Sequence, residues 1–324
     1  MRLCTKKNLC FIFVCLFVQY AYTQIQPNST HYMYNPQLAN PAFYGSEEGI
    51  NFGANYRHQW AKLNGQPKTV NIFADAYLRQ AHGGIGLSIT NDNLGAYNTT
   101  VLNVGYAFIQ NIKDKIKISI GINSGFTLTK LDGTKLITPE GDNTGLNDDY
   151  LSAQVQKKFR PNLNIGIAIR HKYIEAGIAY SNLINAKDKF EGVSQTLKLR
   201  YGGVMQTYLT SKVKIRDNFF IKPAFVLYTD FKEIQTDISI LAGYRNYVSL
   251  GLNVRGYNKK SLESLSPIIV VGPIKNICII YSYDVSLSKL NMVNKGSHEI
   301  TLKYLLPENK IYKNPITINN PRFL

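Results

Sequence analysis

The sequence predicts an all-β fold, a transmembrane outer-membrane β-barrel of about 14 antiparallel strands behind an irregular N-terminal segment. Three observations lead there. Apolar and polar side chains alternate along segment after segment of about ten residues; a secretion signal opens the chain; and the links between segments are short and long by turns.

The signal comes first. Residues 1–7 carry Arg2, Lys6 and Lys7, and 9–18 (LCFIFVCLFV) form one apolar run, followed by the small and polar residues Ala21-Tyr22-Thr23-Gln24. A basic start, a short apolar core and such an exit describe a cleavable signal peptide over 1–23, too short to span a bilayer as a helix. The rival, a lipoprotein signal using Cys15, is disfavoured because Val14 is larger than the small residue that chemistry wants. Cys4, Cys10 and Cys15 fall inside the signal and Cys278 stands alone behind it, which excludes an intrachain disulfide and a cysteine-rich zinc site in the mature chain. Processing removes three cations and no anions, so the formal charge falls from +16 to roughly +13. Lys and Arg are scattered through alternating segments rather than gathered on one element, which argues against nucleic acid as a partner.

Residues 24–48 form a lead-in or plug segment. Its core, 30–46 (THYMYNPQLANPAFYGS), places two Asn-Pro pairs among Tyr32, Tyr34, Phe43 and Tyr44. Proline removes a backbone donor and pushes the preceding residue towards extended or turn geometry, so this stretch cannot join a barrel wall. Its rings need an apolar surface, and the inside base of the barrel is the nearest, so the segment is expected to brace or stop the barrel there.

The barrel is expected over 49–306. In 248–255 (VSLGLNVR), Val248, Leu250, Leu252 and Val254 face one way and Ser249, Gly251, Asn253 and Arg255 the other. The same period runs through 116–123, 163–170 and 234–245, with no room for helices between segments. Strands are predicted near 49–58, 67–78, 83–91, 97–109, 115–129, 162–170, 172–182, 195–210, 217–229, 234–245, 247–257, 265–272, 276–286 and 298–306. Leu151 to Phe159 is a candidate for one more. A soluble barrel would carry the apolar face inward and a membrane barrel outward. The signal, the strand lengths and the 22 Tyr and 15 Phe available for interfacial girdles favour the membrane. So does a polar set suited to a wet lumen, including Asp75, Lys117, Arg170, Lys198, Arg200, Asp237, Arg245, Arg255, Asp284 and Glu299. Those charges could line an anion-selective pore or pair across it, and partial filling with ion pairs is the preferred reading. Links at 111–114, 170–172, 245–247 and 273–276 are terse, whereas 130–161 is long, the asymmetry of periplasmic turns and outer loops. A tail, 307–324, continues past the last strand.

The stretch Tyr32-Met33-Tyr34-Asn35-Pro36 with Asn40-Pro41-Ala42-Phe43-Tyr44-Gly45-Ser46 resembles the N-terminal signature of the PorP/SprF family of type IX secretion system outer-membrane proteins. The resemblance continues at Tyr56-Arg57-His58-Gln59-Trp60, Gly65-Gln66-Pro67-Lys68-Thr69 and Gly83-Gly84-Ile85-Gly86-Leu87. It ends at Tyr281-Ser282-Tyr283-Asp284 and Gly296-Ser297-His298-Glu299-Ile300, so it covers nearly the whole mature chain in order. The family-signature residues it singles out are Tyr32, Tyr34, Asn35, Pro36, Asn40, Pro41, Tyr44, Arg57, Trp60, Asp284, Ser297, His298 and Glu299. The resemblance implies a multi-pass barrel in the outer membrane of a Gram-negative bacterium. It also implies a non-enzymatic role in export or surface anchoring of a large secreted protein with a type IX sorting domain, such as an adhesin, in some cases for gliding motility. Outer-membrane lipid and other secretion-system components are the further partners implied. A general porin is the alternative.

Catalysis and cofactors find little support. Ser297 and His298 imitate a lipase nucleophile and base, yet neighbours on a strand point to opposite faces and cannot share the activating hydrogen bond. The five histidines, at 31, 58, 82, 171 and 298, have no His or Cys at ligand spacing, so no metal or cofactor is assigned. Glu140, Asp142, Asn143, Asn147, Asp148 and Asp149 make the long loop oxygen-rich without the spacing of a calcium loop, and a solvated loop is the preferred reading. Gly83-Gly84-Ile85-Gly86 precedes no helix and so is read as a tight turn into the third strand rather than a phosphate loop. Trp60, the only tryptophan, is read as an interfacial anchor at the outer end of the first hairpin.

Overall fold

The computed structural model describes residues 29–47, 49–112, 115–136, 152, 154–184, 187–192, 196–245, 247–257 and 261–307. The strands are β1 (Ile50–His58), β2 (Lys68–Leu78), β3 (Gly83–Leu94), β4 (Tyr97–Ile112), β5 (Ile116–Asp132) and β6 (Val155–His171). There follow β7 (Ile174–Ser181), β8 (Lys187–Glu191), β9 (Thr196–Arg200), β10 (Val204–Ser211), β11 (Val213–Arg216) and β12 (Phe219–Thr229). The last five are β13 (Ile234–Tyr244), β14 (Val248–Tyr257), β15 (Ser261–Ile274), β16 (Ile277–Ser286) and β17 (Ser297–Leu306). All pairing is antiparallel and mostly between neighbours in sequence; β10 pairs with β7 across the β8–β9 hairpin, and the contacts of β1 with β17 and of β10 with β12 close the ring. Fourteen strands therefore make the wall, since β8 and β9 pair only with each other and β11 extends β12 on its edge.

The two faces of that wall are inverted relative to a soluble protein. Ile72, Val104, Ile120, Ile167, Ile240, Leu250, Leu302 and many other large apolar side chains are exposed on the outside. Asn51, Asn55, Ser119, Asn123, Asn164, Asp237, Asn253 and Thr301 are buried on the inside. Exposing so much apolar surface to water would cost about 25 cal/mol per Å², so the outer face calls for lipid and the fold is that of an outer-membrane barrel.

Both ends of the ring lie on the side of the short turns, the periplasmic side. There the Lys275–Asn276 turn has φ of 48° and 74°, the left-handed pair that two-residue hairpins need. The longest outer links follow β1, β5, β7 and β16, whereas β3 and β4 join through Gly95–Ala96 alone, Gly95 taking φ 58°.

Several expectations need correction. Val155–Phe159 is no separate strand; it is the outer part of β6, paired with β5 from Val155 opposite Asp132 inward. The strand expected over 195–210 is broken at 201–203, because its first part turns away to pair with β8. Lys198 and Arg200 consequently belong to that hairpin and not to the lumen wall. Arg245 sits exposed at the periplasmic turn, its Nε donating to Asn218 Oδ1 at 3.1 Å. The acidic stretch from Glu140 to Asp149, the expected signal over 1–23 and most of the tail lie outside the described residues.

Candidate functional site in the barrel lumen

The chain from Ser29 to Ser46 lies inside the barrel. Two short 3-10 turns, Pro36–Leu38 and Pro41–Phe43, each start on a proline behind an asparagine, and Asn40 caps the second by accepting from Ala42 N at 2.9 Å. Proline fits a first helical position, where its missing N–H costs nothing. Tyr32, Met33, Ala42, Phe43 and Tyr44 are all at most 4% exposed, so this segment supplies much of the apolar packing within the lumen.

Its upper end meets a charged cluster near the outer rim. Arg57, one residue from the end of β1, donates through Nη1 to Glu299 Oε2 at 2.7 Å and through Nη2 to Asp284 Oδ2 at 2.5 Å. Arg255 donates through Nε to Asp237 Oδ1 at 2.7 Å, with Nη1 3.7 Å from Asp284 Oδ2. Three carboxylates thus face two guanidiniums, all nearly solvent-free. The segment offers the missing donors: Thr30 N to Glu299 Oε2 at 2.8 Å, Thr30 Oγ1 to Asp284 Oδ1 at 3.2 Å, and Ser29 Oγ to Glu299. Both guanidiniums in turn donate to Thr30 Oγ1, at 3.2 and 3.3 Å, and His31 Nδ1 lies 2.7 Å from Thr301 Oγ1. A buried cluster is tolerated when its members are hydrogen-bonded, and the segment supplies several of those bonds, although Arg57 Nε and His31 Nε2 have no partner among the described residues.

Lower down, two lysines hold backbone carbonyls: Lys222 Nζ donates to Met33 O at 3.0 Å and Lys303 Nζ to Tyr34 O at 2.7 Å. Tyr32 donates to Ser239 Oγ at 3.1 Å and meets Tyr208 edge to face, with ring centroids 6.3 Å apart. The chain then crosses to the opposite wall. There Ser119 Oγ donates to Ala42 O at 2.7 Å, Asn123 Nδ2 to Tyr44 OH at 3.0 Å, and Gly45 N to Asp75 Oδ2 at 3.0 Å.

This opposite wall is cut away to receive it. A Cβ on Gly84 would stand 2.1 Å from Tyr44 O, on Gly86 2.1 Å from the Tyr44 ring, on Gly121 2.3 Å from Ala42 N, and on Gly166 2.0 Å from Asn40 Oδ1. The Gly83-Gly84-Ile85-Gly86 motif therefore does more than enter a strand: Gly84 and Gly86 form a seat for Tyr44.

A second structure covers the outer mouth. Arg160, pointing inward from β6, donates to Asp188 Oδ2 at 2.9 Å and lies 3.2 Å above the centre of the Tyr201 ring. Tyr201, itself 3% exposed, shares a hydrogen bond with Tyr97 across the opening. Burial, with Tyr97 beside it, holds the Tyr201 phenol well above its ordinary range.

The signature residues divide accordingly. Tyr32, Tyr34, Asn35, Pro36, Asn40, Pro41 and Tyr44 belong to the lumenal segment, and Arg57, Asp284 and Glu299 to the cluster that receives its upper end. Ser297 is buried and accepts from Trp60 N at 3.1 Å, joining the first and last outer loops. His298 faces outward, with Nδ1 2.8 Å from Tyr281 OH, so Ser297 and His298 lie on opposite faces. Missed at the level of sequence were Thr30, Lys222, Lys303 and the glycine seat. The recurring triplets Ile85-Gly86-Leu87, Ile120-Gly121-Ile122 and Ile165-Gly166-Ile167 were the available signal.

Comparison with known proteins agrees with this architecture. Two solved structures superpose over most of the chain: the CymD monoaromatic hydrocarbon channel (TM-score 0.53, 10% identity, covering 84% of this chain and 93% of that one) and the deltaS2S3 mutant of the TodX monoaromatic hydrocarbon channel (TM-score 0.51, 11% identity, 82% and 92%). At such identity the likeness concerns the fold alone. No curated protein matches the sequence. The family model for the type IX secretion system membrane protein PorP/SprF matches residues 21–304, the lumenal segment and the wall together, and the chain belongs to that family.

Proposed function

We propose that this barrel is a non-enzymatic outer-membrane component of the type IX secretion system that assists export or surface anchoring of a large cargo protein. The cargo is of the adhesin kind, carrying a type IX sorting domain, with gliding motility among the processes served. The observation that carries the reading is the lumenal segment. A general porin needs a continuous wet path, whereas residues 29–46 cross the interior, bonding to both walls and donating to a buried ionic cluster. Residues 24–48 then act as a plug, 49–306 as the barrel, 1–23 as a removable signal and 307–324 as a periplasmic tail. The outer rim and loops are left as the cargo-facing surface, with Trp60 in the first loop.

The porin reading draws on the likeness to the two hydrocarbon channels, and one experiment separates it from ours. The purified full-length barrel is placed in planar bilayers and, in parallel, captured from its own membranes under mild detergent. Silence in the bilayer together with co-purification of one very large surface protein supports the secretion role. Large stable conductance steps without such a partner would overturn it. Hydrolase activity lost on Ser297→Ala would overturn the non-enzymatic reading.

A further inference from the structure

Where the lumenal segment leaves the barrel, a cleft of about 160 Å³ opens at the periplasmic end between Gly45–Ser46 and the inner faces of β2, β4, β5 and β6. Ser46, Tyr77, Arg79, Asn111, Lys117 and Arg170 line it. Three of these six are cations: Lys117 and Arg170 stand opposite each other on β5 and β6, and Arg79 comes from the β2–β3 link. Arg170 is only 8% exposed. Its Nη1 donates to Ser46 O at 2.6 Å, yet its Nε has no acceptor among the described residues. The nearby carboxylates do not supply one. Asp75 is engaged by Gly45 N and Asn51 Nδ2, and Glu47 by Lys303 Nζ at 3.1 Å. Glu175 stands opposite Arg170 in the β6–β7 ladder. Arg79 and Lys117 have further partners of their own, so the case rests on Arg170 and on the convergence of charge.

We infer that this cleft is a binding site for a small oxyanion, a phosphate or carboxylate group presented from the periplasm. The chemistry is that of a nearly buried guanidinium flanked by two cations and the amide of Asn111, a set that matches the several acceptor oxygens of such a group. The volume is well below the roughly 300–1,000 Å³ typical of drug-sized ligands, so it takes a free ion or the end group of a longer molecule. Because the cleft is built on Ser46, an occupant also clamps the segment where it exits. The inference stands on the cleft alone and does not depend on the identity of any cargo.

The test is calorimetric titration of the full-length barrel in detergent. The probes are inorganic phosphate and a short peptide with a free C-terminal carboxylate, the same peptide amidated serving as control. One saturable phosphate site is expected, weakened at least tenfold by Arg170→Met and by Lys117→Met and unchanged by Arg216→Met, an exposed cation on β11. Lys117→Met leaves the Arg170–Ser46 bond in place, so it remains informative if Arg170→Met folds poorly. Competition by the free-carboxylate peptide alone assigns the site to a chain terminus, and absence of competition assigns it to phosphate. No saturable phosphate binding to the unmodified barrel, or equal affinity in both variants, would overturn the inference.

Discussion

Filling the glycine seat should unseat the lumenal segment while leaving the wall intact. In Gly86→Val combined with Gly121→Val, the new Cβ atoms would stand 2.1 Å from Tyr44 Cδ1 and 2.3 Å from Ala42 N. Ordinary carbon contacts lie near ~3.5–4.0 Å, so each site demands a displacement well over 1 Å, and at Ala42 the obstacle is backbone that no rotamer change can move. Retaining the segment under that overlap costs about 1–3 kcal/mol per site. Releasing Tyr44, now 2% exposed, forfeits roughly 4–6 kcal/mol, taking about 150–250 Å² of buried ring at ~25 cal/mol per Å². With two sites the strain is comparable to what Tyr44 alone contributes, so Tyr44 and the backbone beside it should leave the seat for a large fraction of the time. Valine suits a strand, so pairing in β3 and β5 should survive. Hydrogen exchange read at peptides covering 30–46 should show lost protection at 40–45, and planar bilayers should show conductance that the unmodified barrel lacks. Gly202→Val, where a Cβ meets nothing within 4 Å, serves as the control. Wild-type protection and silent bilayers in the double variant would refute the claim that these glycines hold the segment by making room for it.

Other changes probe the remaining contacts. Arg57→Met leaves Asp284 and Glu299 without their closest guanidinium and should lower the stability of the folded barrel by about 3–5 kcal/mol, measured by urea unfolding on gel mobility. Adding Glu299→Gln should recover part of that loss, and a strictly additive further loss would argue against a coupled cluster. Arg160→Met removes both the Asp188 pair and the contact with the Tyr201 ring, so trypsin should cut at Lys187, Lys189 and Lys198 several-fold faster while the wall stays intact. An unchanged cleavage rate would mean that the hairpin is held over the mouth by something else.

Why some of this was legible in the sequence and some was not follows from the range of the forces involved. A strand between lipid and lumen must alternate, so the wall strands announced themselves locally, and so did the break imposed by Asn35-Pro36 and Asn40-Pro41. Where a strand was misplaced, the cause was competition for pairing: the first part of 195–210 alternates well enough, but β8 offers it a nearer partner than the wall does. Charge pairing was beyond reach because the ring joins positions far apart in the chain, Arg57 to Asp284 and Glu299 across the closure between β1 and β17. Alternation gave the face of each charge and not its neighbour across the lumen, which is why Arg255 met carboxylates as expected while Lys198 and Arg200 left the wall. The glycines were misread for the opposite reason. A local explanation, the tight turn, was available for Gly83 to Gly86, whereas the decisive contact lies about 40 residues earlier in the chain, in Tyr44. Glycine repeated at inward positions of β3, β5 and β6 is hard to explain by turns, since none of Gly86, Gly121 and Gly166 lies in one. A wall whose inward side chains vanish in one lane implies that something else occupies that lane, and in this chain the occupant is its own N-terminal segment.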